Sequence, residues 1–159
     1  MVDENWRGLQ VHFLRKMAWP RQDGIVDMIK RLPSGRNPCE GMRLRWCIDT
    51  INTVVAGRHG KIEHKVGLAY DVKLRFEMYQ EDGEDGKWTP NYLVLIERPT
   101  NREAAGYLES ALIMHIACDP DLQDDSMNAR RKDLGGEGHR QTKDKPHYIY
   151  FAVRVLVIH

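Results

Sequence analysis

Apolar residues recur every three to four positions in the first part of the chain: Trp6, Leu9, Phe13 and Met17. This spacing predicts a helix that Pro20 ends. A second helix is expected over 23–32, stopped by Pro33, Ser34 and Gly35. Residues 43–55 are ambiguous, and the β-branched end Ile51, Thr53, Val54 and Val55 favours a strand. After a turn at 57–60, a strand over 62–69 completes an expected hairpin. A short helix follows over 71–79, with Leu74 and Met78 on one face and Asp71 as its cap, and then an acidic exposed loop over 81–86. Leu93, Val94, Leu95 and Ile96 read as a buried strand, and 148–158 as another. Residues 100–118 form an amphipathic helix, opened by a capping box of Thr100 and Glu103. Residues 119–138 are polar and glycine-rich and read as a long loop. The expected fold is α+β, with a small, mainly antiparallel sheet of three to four strands flanked by helices. Residues 1–45 form an N-terminal helical extension and 46–159 the main domain.

Glu109 breaks the pattern of its helix. Ala105, Leu112, Ile113 and Ile116 build the apolar face, and Glu109 falls near its centre. A carboxylate there costs several kcal/mol, of the order of the desolvation of a charged group, unless it is paired or bound to a metal. The helix therefore lines a cleft at this point, or Glu109 has a buried partner.

Composition narrows the classes. The chain has 159 residues, 42% hydrophobic and 30% charged, with a formal net charge of +1. No global field drives it to nucleic acid or membrane, so such binding rests on a local patch. No apolar run reaches the length of a transmembrane helix. The N-terminal residues do not read as a signal peptide, and Cys39, Cys47 and Cys118 form no CxxC pair. Reduced thiols in an intracellular compartment are the simplest expectation. Arg130, Arg131, Lys132, Arg140, Lys143 and Lys145 form a basic cluster suited to a nucleic-acid backbone, with Asp124, Asp125, Asp133 and Asp144 interspersed.

The order of the chemical features carries a resemblance. A hairpin ending in Lys65, Val66, Gly67 and Leu68 precedes Arg75 on a short helix. Glu109 follows on a long helix, and Asn128 and the run Gly135, Gly136, Glu137, Gly138 come later. This order resembles the GIY-YIG nuclease superfamily over roughly residues 51–151. Lys65-Val66-Gly67 takes the place of the second tripeptide, and Thr53-Val54-Val55 that of the first. The resemblance implies that Glu109 binds a divalent cation, Mg2+ or Mn2+, and that Arg75 holds a phosphate oxygen. One carboxylate with waters and substrate phosphate suffices for magnesium, and the forked guanidinium suits phosphate. The family assigns the general base to the first tripeptide's tyrosine, but the two tyrosine positions read Val55 and Lys65 here. His64 and Tyr70 stand nearby as substitutes to assist the water, as does His59. Lys65, Asn128, Arg130, Arg131 and Lys132 are the expected nucleic-acid contacts.

The expected function is divalent-metal-dependent phosphodiester hydrolysis of nucleic acid, DNA in the first instance, with no membrane partner. The alternative is a catalytically inactive GIY-YIG-like domain that binds nucleic acid or a protein partner. A third reading, a structural Glu–Arg pair in an unrelated α+β domain, requires Arg75 and Glu109 to lie on opposite faces of the sheet.

Overall fold

The computed structural model describes residues 24–30, 38–56, 61–86, 88–99, 101–131 and 146–156. In chain order the elements are β1 (Ile25–Asp27), α1 (Glu40–Ala56), β2 (Lys61–Ala69), α2 (Val72–Gly86), β3 (Tyr92–Glu97), α3 (Arg102–Cys118), a 3-10 turn at Gln123–Asp125, α4 (Met127–Arg131) and β4 (Tyr148–Leu156). The four strands form one sheet in the order β1-β3-β4-β2. β1 pairs parallel with β3, while β4 is antiparallel to both β3 and β2. The sheet is therefore mixed rather than mainly antiparallel, with β1, β2 and β3 pointing one way and β4 the other.

Helices cover both faces, so β3 is buried along nearly its whole length and β4 over its central run from Ile149 to Val153. This accounts for their continuous apolar runs. Under α1 and α3, Cys47, Ile51, Val54, Leu112, Ile113 and Ile116 pack on Ile62, Val66, Val94, Ile149, Phe151 and Val153. Each such aliphatic or aromatic side chain contributes about 1.5–3 kcal/mol when fully buried. Under α2, Tyr79 and the half-buried Val72 and Phe76 pack with Trp88 on Leu93, Leu95, Tyr150 and Ala152.

Four elements differ from the sequence reading. Residues 40–56 are helix, so no hairpin joins them to β2, whose antiparallel partner is β4. The β-branched residues are accommodated because Thr50 and Thr53 donate their hydroxyls to the carbonyls of Trp46 and Asp49, at 2.9 and 2.7 Å. Residues 25–27 are a strand of the sheet, not a helix, and α1 runs across residue 45. α2 continues through the acidic stretch to Gly86. Its buried side is Tyr79 with Val72 and Phe76, while Leu74 and Met78 are exposed. The 119–138 stretch contains the 3-10 turn and α4. The expected helix over 4–17 lies outside the described residues. No helix among the described residues is long and apolar enough to cross a membrane.

Candidate functional site

β2 is an edge strand, and the site is built on it. Gly67 lies opposite Tyr150 of β4. A Cβ at position 67 would overlap the Tyr150 ring and hydroxyl, so the ring crosses the edge strand where the side chain is missing. The Tyr150 hydroxyl shares a 2.9 Å hydrogen bond with that of Tyr79 on α2. Tyr79 stands edge-on to both Tyr150 and Trp88. Trp88 donates its indole N–H to Glu63 at 3.1 Å, and Arg154 lies 3.8 Å from the same carboxylate oxygen. Strand alternation places Glu63, Lys65 and Gly67 on this face of β2, with Lys65 opposite Ala152.

Arg75 and Glu109 lie on helices that cover opposite faces of the sheet. Arg75 is half-buried on α2, whose first turn is capped by Asp71, accepting from the Leu74 amide at 2.9 Å. Glu109 lies on α3, which starts one residue later than expected. Asn101, not Thr100, is the cap and accepts from the Ala104 amide at 2.8 Å. Thr100 itself lies outside the described residues. Glu109 is 7% exposed, between Ala105 and Ile113, as its helical position requires. Burial pushes the Tyr150 phenol well above its usual range. Tyr79 and the Glu109 charge push it further, and the Arg75 charge opposes them.

Asn128 and His64 have roles that spacing did not reveal. Asn128 is buried on α4, where its Oδ1 accepts from the Val66 amide at 2.7 Å and its Nδ2 donates to the Val66 carbonyl at 3.0 Å. It thus stands in for a neighbouring strand at the sheet edge instead of facing a nucleic acid. A bridge between His64 and Ser126 continues the same cover. His64 is 1% exposed and packs 5.0 Å from the Phe151 ring, on the face under α1 and α3. A core position opposite the Tyr150 face does not suit the water-assisting role expected of it. Tyr70, at the end of β2, is 39% exposed. Arg130 and Arg131 end α4, but their side chains are not among the described groups. His59, Lys132 and the 135–138 glycine run lie outside the described residues.

A second buried carboxylate escaped the sequence reading. Glu97 closes the apolar run of β3 and accepts from Arg43 at 3.3 Å and from the Arg98 amide at 2.8 Å. Burial, then Glu97, push the neighbouring Cys47 thiol up, and Arg43 pulls it down. Tyr150 was missed as well. Its only signal is the placing of Tyr148, Tyr150 and Ala152 at alternate positions of β4.

The resemblance implies Glu109 as the protein ligand of a metal ion. Among the described residues, no group of three or more His, Cys, Asp or Glu side chains is arranged to hold one. Comparison with protein families, with curated proteins and with solved structures finds no match.

Proposed function

We propose that the chain hydrolyses phosphodiester bonds of nucleic acid with a divalent metal, at a GIY-YIG-like site. One observation supports the reading: the Tyr150 ring crosses the edge strand at Gly67, with an arginine on the helix after β2 and a buried glutamate on the helix after β3. The resemblance lacks the tyrosines of both tripeptides, at Val55 and Lys65, and Thr53-Val54-Val55 lies in α1 rather than on a strand beside the second. Here β4 runs antiparallel beside Lys65-Val66-Gly67 and carries Tyr150. The strand comes from the far end of the chain rather than from a hairpin. The opposite-face condition of the structural-pair reading is met, because α2 and α3 cover opposite faces of the sheet.

Each residue has a role that follows from its chemistry. Glu109 holds the cation, Mg2+ or Mn2+, which supplies Lewis-acid stabilisation of charge on the phosphate. Arg75 binds a phosphate oxygen and offsets the charge that develops there. Lys65, on the same face of β2 as Gly67, adds a second cation for the backbone of the substrate. Tyr150 stays protonated at neutral pH, so its hydroxyl orients the attacking water instead of ionising. Tyr79 fixes the direction of that hydroxyl.

A second reading, binding without cleavage, is favoured by the burial of Tyr150, which is 2% exposed. The test is an assay on varied DNA with Mg2+ or Mn2+, comparing wild type with Glu109→Ala. Metal-dependent products that fall by about 10³-fold in the variant support hydrolysis, the scale of removing a main electrostatic stabiliser. Salt-dependent binding with no products supports the second reading.

A further inference from the structure

The carboxyl ends of the three co-directed strands open onto a cleft of about 680 Å3. Asp27 is the last residue of β1, Tyr70 follows the last residue of β2, and Arg98 follows the last residue of β3. Such convergence is where open sheets with parallel strands bind ligands. The floor is apolar and belongs to the Tyr150 face: Leu95 and Tyr148 line it, and Leu95 pairs with Tyr150. Tyr148 lies two residues before Tyr150 on the same side of β4, about 7 Å along the strand. The cleft therefore borders the candidate centre, one turn of α2 away from Arg75.

The lining combines aromatic faces with cations. Tyr70 is 39% exposed and Tyr148 half-buried, with the Arg98 guanidinium 5.6 Å from the Tyr148 ring. Lys73 and Arg98 are exposed, long and flexible, and able to follow phosphates. The two carboxylates of the lining are tied to the backbone. Asp27 accepts from the Ile29 amide at 3.0 Å, and Asp71 caps α2. Aromatic faces beside cations bind unstacked bases with their phosphates. A base inside a duplex cannot offer its face to a side chain.

The geometry points to a subsite for an unpaired polynucleotide strand in this cleft, with bases against Tyr70 and Tyr148 and phosphates on Lys73 and Arg98. This rests on the phosphodiesterase reading for its purpose: the substrate is a single strand, or the unpaired arm of a branched one, led from the cleft to Tyr150.

Fluorescence anisotropy of the full chain in EDTA separates binding from cleavage. The probes are labelled mixed-sequence 12-mers of DNA and of RNA, each single-stranded or as the matching duplex. At least one single strand is expected to bind about tenfold or more tightly than its duplex. Tyr70→Ala is expected to weaken that binding by about tenfold or more, the scale of losing one base stack, while Tyr70→Phe retains it. Tyr107→Ala, an exposed aromatic on α3, serves as the control and leaves binding unchanged. Equal or tighter binding of both duplexes, no effect of Tyr70→Ala, or a Phe variant as weak as the Ala variant overturns the subsite. Single-strand binding with no cleavage under any metal keeps the subsite and removes the phosphodiesterase reading.

Discussion

The ring of Tyr150 occupies the space that a side chain at Gly67 would fill. Two residues 83 positions apart are thus matched by shape across the pairing of β2 and β4. The match carries the hydroxyl over the edge strand, where it shares a 2.9 Å hydrogen bond with Tyr79. Gly67→Ala therefore forces the ring aside. Overpacking of this kind costs about 1–3 kcal/mol, to be read as a lower urea midpoint, and cleavage falls with it. Gly41→Ala is the control, because nothing lies within 4 Å of a Cβ there. In a helix that change is neutral or gains up to about 1 kcal/mol.

Asn128→Ala exposes the edge of the sheet. The variant loses both hydrogen bonds to Val66 and leaves a buried amide and carbonyl without those partners. The expected cost is about 2–6 kcal/mol, from one to three for each of the two unsatisfied groups. Hydrogen exchange should show the Val66 amide losing protection before those of β3. Unchanged protection at Val66 would mean that water replaces the side chain without penalty.

The sequence displayed some of this and concealed the rest for physical reasons. Glu109 was legible because helical periodicity fixes which face a residue shares, and the structure buries it as that face requires. The runs of β3 and β4 were legible because both faces of those strands are covered. α1 was not, because Ile51, Thr53, Val54 and Val55 favour strands locally. Tertiary burial of Cys47, Thr50, Ile51 and Val54 on one helical side outweighs that preference. Asn128 and Tyr150 were hidden because their partners are 62 and 83 residues away, beyond the reach of any local pattern.

Alkaline pH should unfold the protein through two buried groups. The Cys47 thiol and the Tyr150 phenol are both raised by burial, so the folded chain holds their protons more tightly than the unfolded chain. Their stabilisation is complete below the ordinary thiol and phenol values, about 8.5 and 10. Above those values the unfolded chain releases its protons first, and stability declines as pH rises. Urea midpoints are expected to fall from about pH 9 upward. Cys47→Ala should delay the onset to about pH 10, where the phenol takes over. An onset that does not move in the variant would remove the thiol from this account.

Arg43→Leu tests the second buried carboxylate. Glu97 is 5% exposed and would keep the Arg98 amide but lose the guanidinium. Breaking a buried pair from one side costs about 3–5 kcal/mol. The Arg43 side chain is 18% exposed, which places the expected loss near the lower end. Arg43→Leu with Glu97→Gln should recover part of it. Cleavage by the folded variant should be unchanged, since Arg43 and Glu97 are not among the residues given a role at the proposed site.

The proposed role of the Tyr150 hydroxyl is tested most directly by single-turnover cleavage of a branched DNA with Mg2+, comparing wild type with Tyr150→Phe. Phenylalanine keeps the ring over Gly67 and removes only the oxygen. The rate constant should fall by about 10²–10³-fold, the scale of losing a group that positions a reacting proton. The circular dichroism spectrum should be retained, and the wild-type rate should show no phenol titration between pH 6 and 9 (the usual phenol value is about 10). Metal-dependent cleavage by Tyr150→Phe at the wild-type rate would contradict the account.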